Sequence, residues 1–187
     1  MQIADLVQTD EYDEEWNSCL SFIQNNCLTD PLYQNYITLS KKEFVSLPVV
    51  IIDNIIVAFS GAQVKDDWGP NIARISSRFW IHPAFRHNPS KFKNSNTPWY
   101  NSEFLIKIQL AEIRKLGIPN VFISREGNYR KSFQQFIKLV NEYNNVDFEV
   151  LEGQYLVQHV PQILALYSFD NTQLDKVIVE ETFIKKL

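Results

Sequence analysis

The stretch Ile75-Ser76-Ser77-Arg78-Phe79-Trp80-Ile81-His82-Pro83-Ala84-Phe85-Arg86 decides how the rest of the chain is read. From Ile72 to Ile81, Ala73, Ile75, Ser77 and Phe79 alternate with Arg74, Ser76, Arg78 and Trp80. A period of two makes this a strand with one largely apolar face and an opposite face carrying two guanidinium groups. His82-Pro83 ends it, because proline has no N–H to give a ladder and restricts the residue before it.

Upstream, Val49-Val50-Ile51-Ile52 and Ile55-Ile56-Val57-Ala58-Phe59 are β-branched runs parted by Asp53-Asn54, the pattern of a tight β-hairpin. Gly61 allows a bulge near the end of the second run, and residues 65–71 form a turn cluster around Asp66-Asp67-Trp68-Gly69-Pro70. Residues 1–7 predict an edge strand. Residues 11–24 predict an amphipathic helix, with Trp16, Cys19, Leu20 and Ile23 at helical spacing and Thr9 or Asp10 as its N-cap. Residues 25–40 are mixed, with Asp30-Pro31 as a stop or turn and Tyr33, Tyr36 and Ile37 as a short helical face.

Downstream, the polar run 89–98 predicts an exposed loop. Ser102 then caps a helix to Leu116 whose stripe is Phe104, Leu105, Ile108, Ala111, Ile113 and Leu116, stopped by Gly117 and Pro119. Val121-Phe122-Ile123-Ser124 reads as a short buried strand, and residues 129–143 as a second helix through Phe133, Phe136, Ile137 and Val140. Strand, helix, strand, helix implies a parallel pair with a crossover. Residues 147–158 predict one or two strands about Gly153, and residues 162–167 and 177–183 are weaker apolar pieces. No repeat or linker divides the chain, so residues 1–187 are read as a single domain.

A helical N-terminal region, an antiparallel meander, then strand, helix, strand, helix and a last β segment resembles the GCN5-related N-acetyltransferases over residues 48–143. The run from Ile75 to Arg86 looks like that family's fourth strand and the His-Pro-x-aromatic-Arg sequence leading to its cofactor loop. The resemblance implies an α/β (α+β) fold, a mixed and mostly antiparallel central sheet with helices on both faces. It also implies acetyl-CoA as acyl donor. The backbone at Trp80 and Ile81 would hold the pantetheine arm, the loop from Arg86 the phosphates, and Asn128 would follow the fifth strand. The loop departs from the family pattern, with Pro89 and Lys91 where small residues belong. Phosphate contact then falls to Arg86, Lys91 and Lys93 in place of amides. Phe136 stands nearest the position of the family's tyrosine acid and has no hydroxyl.

The outward positions of the decisive strand are Arg74, Ser76 and Arg78, so it offers no carboxylate as general base. Arg74 and Arg78 are instead expected either to bind substrate, favouring a small-molecule amine that carries an acidic group over a polyamine, or to lie on a solvated sheet face. His82 and His87 flank the strand end, either as acid-base groups or as turn and loop residues. His159 stands alone, and no metal site is predicted. Cys19 and Cys27 read as reduced thiols, too far apart on a helix for a disulfide.

The chain has 187 residues, 45% hydrophobic, with 18 Lys and Arg against 22 Asp and Glu, a net charge of -4. This is the composition of a globular protein able to bury roughly 70% of its unfolded surface without staples. Interspersed charge predicts no nucleic-acid partner. No apolar run reaches membrane-spanning length, and the acidic start lacks a secretory pattern, so no membrane is predicted and the expected location is cytoplasmic. Two functions stay open: an N-acetyltransferase with an altered donor loop, or an acetyltransferase-like binding module without catalysis.

Overall fold

The computed structural model describes residues 1–27, 39–65, 68, 71–85, 101–126, 129–170, 183 and 185–186, with backbone alone at 76–78 and 185–186. Strand β1 (Gln2–Asp5) is followed by helix α1 (Asp13–Asn26), then β2 (Pro48–Ile52), β3 (Ile55–Gln63) and β4 (Ile72–Ile81). Next come α2 (Ser102–Lys115), β5 (Asn120–Glu126), α3 (Arg130–Asn144), β6 (Glu149–Val150), β7 (Gln154–Val157), β8 (Val160–Ser168) and β9 (Lys185–Lys186). One sheet of nine strands runs β1-β2-β3-β4-β5-β8-β7-β9, with β6 also on β8. Strands β4 and β5 are parallel, as the crossover predicts, and every other pairing among the described residues is antiparallel.

Local chemistry accounts for the punctuation. Asp53 and Asn54 take φ of 49° and 60°, the paired left-handed conformation of a two-residue hairpin whose twist matches its strands. At Gly61 a Cβ would lie 2.3 Å from Phe44 Cε1, so glycine lets the buried ring of Phe44 sit against the strand. Helix α2 ends where Gly117, at φ 71°, donates to the Arg114 carbonyl while Ile118 donates to Ile113.

Strand alternation divides the core. Ala62, Ala73, Ile75, Val121, Ile123, Ile163 and Ala165 face α2 and α3, which meet them with Ile106, Leu110, Ile113, Phe133, Ile137 and Val140. On the opposite face α1 lays Trp16, Cys19 and Ile23 over Val49, Ile51, Ile56, Phe59 and Trp80. That face continues over Phe122, Leu164 and Leu166, covered by Trp68 and Phe183. Helices thus cover both faces, though α2 and α3 share one. A buried hydrogen-bond chain ties α2 to the sheet. Ser60 Oγ donates to Gln109 Oε1 (3.0 Å), Gln109 Nε2 to Ser46 Oγ (2.8 Å), and Ser46 Oγ to Asp5 Oδ2 (2.6 Å).

Several expectations are corrected. The first helix begins at Asp13 with Tyr12 as N-cap and no side-chain cap, and Thr9 Oγ1 instead accepts from the Glu11 amide in the preceding turn. Asn101, not Ser102, caps α2, taking the Phe104 amide at 2.9 Å. The piece expected at 162–167 is the nine-residue β8, buried at its centre on both sides of the sheet. The expected turn at 30–31, the helical face at 33–37 and the loop at 89–98 lie outside the described residues. Cys19 and Cys27 are buried free thiols, and burial pushes the Cys19 thiol up to about 12. No helix among the described residues is long and apolar enough to cross a membrane.

Candidate functional site

The β4–β5 ladder runs from Ile72↔Asn120 to Ile75↔Ile123 and stops there, while both strands continue. Beyond it β4 stays with β3, pairing Phe79 with Ser60, Trp80 with Phe59 and Ile81 with Ala58. Meanwhile β5 stays with β8, pairing Ser124 with Leu164 and Glu126 with Gln162. The cause lies in β4: between Ile75 and Phe79 it advances four residues while β3 advances two, from Ala62 to Ser60. Such a bulge bends and over-twists its strand, turning it away from the neighbour on its other side. The result is a fork inside a continuous sheet, a place where an extended ligand can meet strand edges.

The N-terminal turn of α2 stands beside the open end of the fork. Leu105 and Ile108 pack on Val50, Val57 and Ala58, and Ile81, Phe85 and Phe104 close over that cluster. A helix N-terminus is electropositive and rich in N–H groups, a favourable neighbour for phosphate. Asn101 and Glu103 belong to the same turn.

On the α1 face the end of β4 is walled by rings. Trp80 stacks on Phe59 (5.8 Å, 25°), and its buried Nε1 has no hydrogen-bond partner among the described residues. His82 stacks on Phe22 (4.5 Å, 29°), with Trp80 and Phe85 edge-on at 5.7 Å. His82 Nδ1 accepts from the Ala84 amide at 3.2 Å.

At the foot of the fork, on the same face, Arg74 is buried. Its Nη2 donates to Gln162 Oε1 at 3.1 Å and its Nη1 to Gln158 Oε1 at 3.4 Å. Arg74 starts opposite Phe122 and reaches Gln162, which is opposite Glu126, so its side chain spans β5 to meet β8. Ser124 is buried, and its Oγ has no hydrogen-bond partner among the described residues.

Of the residues singled out in the sequence, Trp80 and Ile81 lie in the part of β4 that has left β5, and Arg74 at its foot. Arg74 is not on a solvated sheet face. The backbone of Arg78 is in the bulge, and its side chain, with Arg86, Lys91 and Asn128, lies outside the described residues. Sequence reading missed Ser124 and Gln162. The signal available was a polar residue at an inward position of each strand: Ser124 ending Val121-Phe122-Ile123, and Gln162 opening Ile163-Leu164-Ala165-Leu166. On α3, Phe136 is half-buried against the α2 and α3 core, and Tyr129, at the N-cap, lies under the Arg125 guanidinium at 4.9 Å. Among the described residues no three His, Cys, Asp or Glu side chains gather as a metal site.

No protein-family profile matches the sequence, and no curated protein does. Solved structures do. A ribosomal-protein-alanine N-acetyltransferase from Brucella melitensis is 10% identical, with 90% of this chain and 100% of that one covered at a TM-score of 0.53. ElaA from Escherichia coli is 12% identical, covered 90% and 100%, at 0.52. An acyl-CoA N-acyltransferase from Pseudomonas aeruginosa is 10% identical, covered 89% and 97%, at 0.50. At these identities the likeness is one of fold, and the fold is that of the GCN5-related N-acetyltransferases.

Proposed function

We propose that this chain, a single domain over residues 1–187, is an acyl-CoA-dependent N-acetyltransferase that acts in the cytoplasm on a small amine-bearing substrate. The observation that carries the reading is the fork: a ladder that stops at Ile75↔Ile123 within a fold shared with acyltransferases. The described residues fit acetyl-CoA, with a gap between strand edges for an extended arm and the α2 N-terminus at its mouth. In this reading the main chain of Trp80 and Ile81 flanks the arm, and Arg86, Lys91 and Asn128 are the further donor-binding residues.

When bound, the donor supplies a thioester carbonyl carbon; the acceptor nitrogen bonds it, the C–S bond breaks, and the proton lost by nitrogen ends on the thiol. The chain's part is to align the two reactants, which alone removes much of the entropic barrier. The aromatic wall of Trp80, His82 and Phe22 excludes water from one side of the strand end. Phe136 gives no proton, so turnover is expected to be slower than with a tyrosine there.

The test is thermal unfolding with and without acetyl-CoA. At a ligand concentration a hundredfold above Kd, binding to the folded state adds about 2.7 kcal/mol, a rise in Tm of several degrees. An unchanged Tm at millimolar acetyl-CoA would favour the non-catalytic binding module. Arg86→Ala should weaken donor binding by about 1 to 3 kcal/mol in calorimetry.

A further inference from the structure

We propose that two copies of this chain pair through β1, antiparallel and centred on Ile3, so that the sheet of one runs on into the sheet of the other. The inference goes beyond the acyl-transfer reading and does not depend on it. Among the described residues β1 ends the sheet, with β2 on its inner side. The Leu6 amide donates to the Leu47 carbonyl at 3.0 Å, which sets the direction of each backbone group along the strand. These groups alternate, so those of Ala4 and Gln2 turn to β2 as Leu6 does, while the N–H and C=O of Ile3 point outward. Natural edges are commonly guarded by lysine or proline, and residues 1–7 contain neither.

Apolar side chains mark the same edge. Ile3 is opposite Val50 and Ile55 is opposite Ile52, which places them on the face that α2 covers farther in, over Val50 and Val57. The helix leaves the outer strip bare, with Ile3 42% and Ile55 56% exposed. Directly opposed residues of an antiparallel pair project to one face, so a two-fold axis at Ile3 lays that side chain against its own image and joins the two strips. Charge permits this pairing despite the net charge of -4. Asp5 falls opposite Met1 of the second copy rather than its own image, and its carboxylate is held inward by the Leu47 amide at 2.8 Å and Ser46 Oγ at 2.6 Å. A four-residue strand and a narrow strip bury less than the roughly 1,200 Å² of a standard interface, so the dimer is expected to have a Kd on the order of 10 to 100 µM. Strands β2 and β3 lie between β1 and β4, so both forks stay open.

The experiment is sedimentation equilibrium of the whole chain from about 1 µM to about 1 mM, a range that brackets the expected Kd. The weight-average mass should climb from that of the monomer toward twice that value. Ile3→Lys sets two like charges against each other at the axis and should raise the dimer Kd at least about tenfold, as should Ile3→Glu. An equimolar mixture of these two variants places opposite charges across the axis and should dimerise again, which a general loss of apolar surface would not produce. Ile55→Lys, on the hairpin rather than on β1, should weaken the dimer without touching the paired backbone. A mass that stays monomeric at every concentration would overturn the pairing and leave the edge to a different chain. So would a dimer that Ile3→Lys and Ile55→Lys leave unchanged, or a mixture of Ile3→Lys and Ile3→Glu that remains monomeric.

Discussion

Replacing Gln109 by Leu is the sharpest perturbation of the packing that holds α2 beside the fork. The side chain is fully buried and makes two hydrogen bonds, from Ser60 Oγ at 3.0 Å and to Ser46 Oγ at 2.8 Å. Leucine has similar volume, so no cavity term arises and the cost is polar. Two net hydrogen bonds are worth about 1 kcal/mol each, and a buried Ser60 hydroxyl left without a partner costs about 1 to 3 kcal/mol more. Ser46 keeps its bond to Asp5 at 2.6 Å, so only one group is orphaned. Allowing for the better burial of leucine, the loss comes to about 2 to 4 kcal/mol. Urea unfolding at neutral pH measures it, and adding Ser60→Ala should recover about 1 to 2 kcal/mol, because the orphan is then gone. A loss below about 1 kcal/mol with no coupling to Ser60 would refute the assignment of this chain as a stabilising tie.

Two further outcomes follow from the fold. Gly61→Ala forces a methyl to within 2.5 Å of two Phe44 ring carbons and should destabilise by about 1 to 3 kcal/mol, with Phe44→Leu restoring part of it in the double variant's denaturation midpoint. Burial raises the Cys19 thiol to about 12, so between its ordinary value near 9 and that point the unfolded chain ionises first. Stability should therefore fall with rising pH by up to about 1.4 kcal/mol per unit. In Cys19→Ala that component should be missing when urea midpoints at pH 8 and 10.5 are compared.

The strand Ile72–Ile81 and the Asp53-Asn54 hairpin were legible to the residue, since alternation, Pro83 and a two-residue turn are local signals. Strand β8 was not. Its run Ile163-Leu164-Ala165-Leu166-Tyr167 lacks alternation because it is a central strand buried on both faces, so the period that reveals half-exposed strands is missing. The start of α1 was read two residues early because the acidic run before Trp16 carries no apolar period to fix it. At the site, Arg74 was visible as a charge on the expected face, but its burial depends on β7 and β8 far along the chain. Ser124 and Gln162 come together only through the β5–β8 pairing, which no local pattern announces.

The four register pairs joining β4 to β5 divide the sheet into two half-sheets of different assembly history. In the first, β2, β3 and β4 pair in chain order, with a two-residue turn closing the hairpin at little entropic cost. In the second, β5 finds β8 only after α3, β6 and β7 have intervened, a longer and slower closure. The seam between them can form only when both edges exist, so topology makes the fork a late product of folding. A molecule spanning it would act as a stitch between two halves, and ligand occupancy and the final act of folding would draw on the same interface.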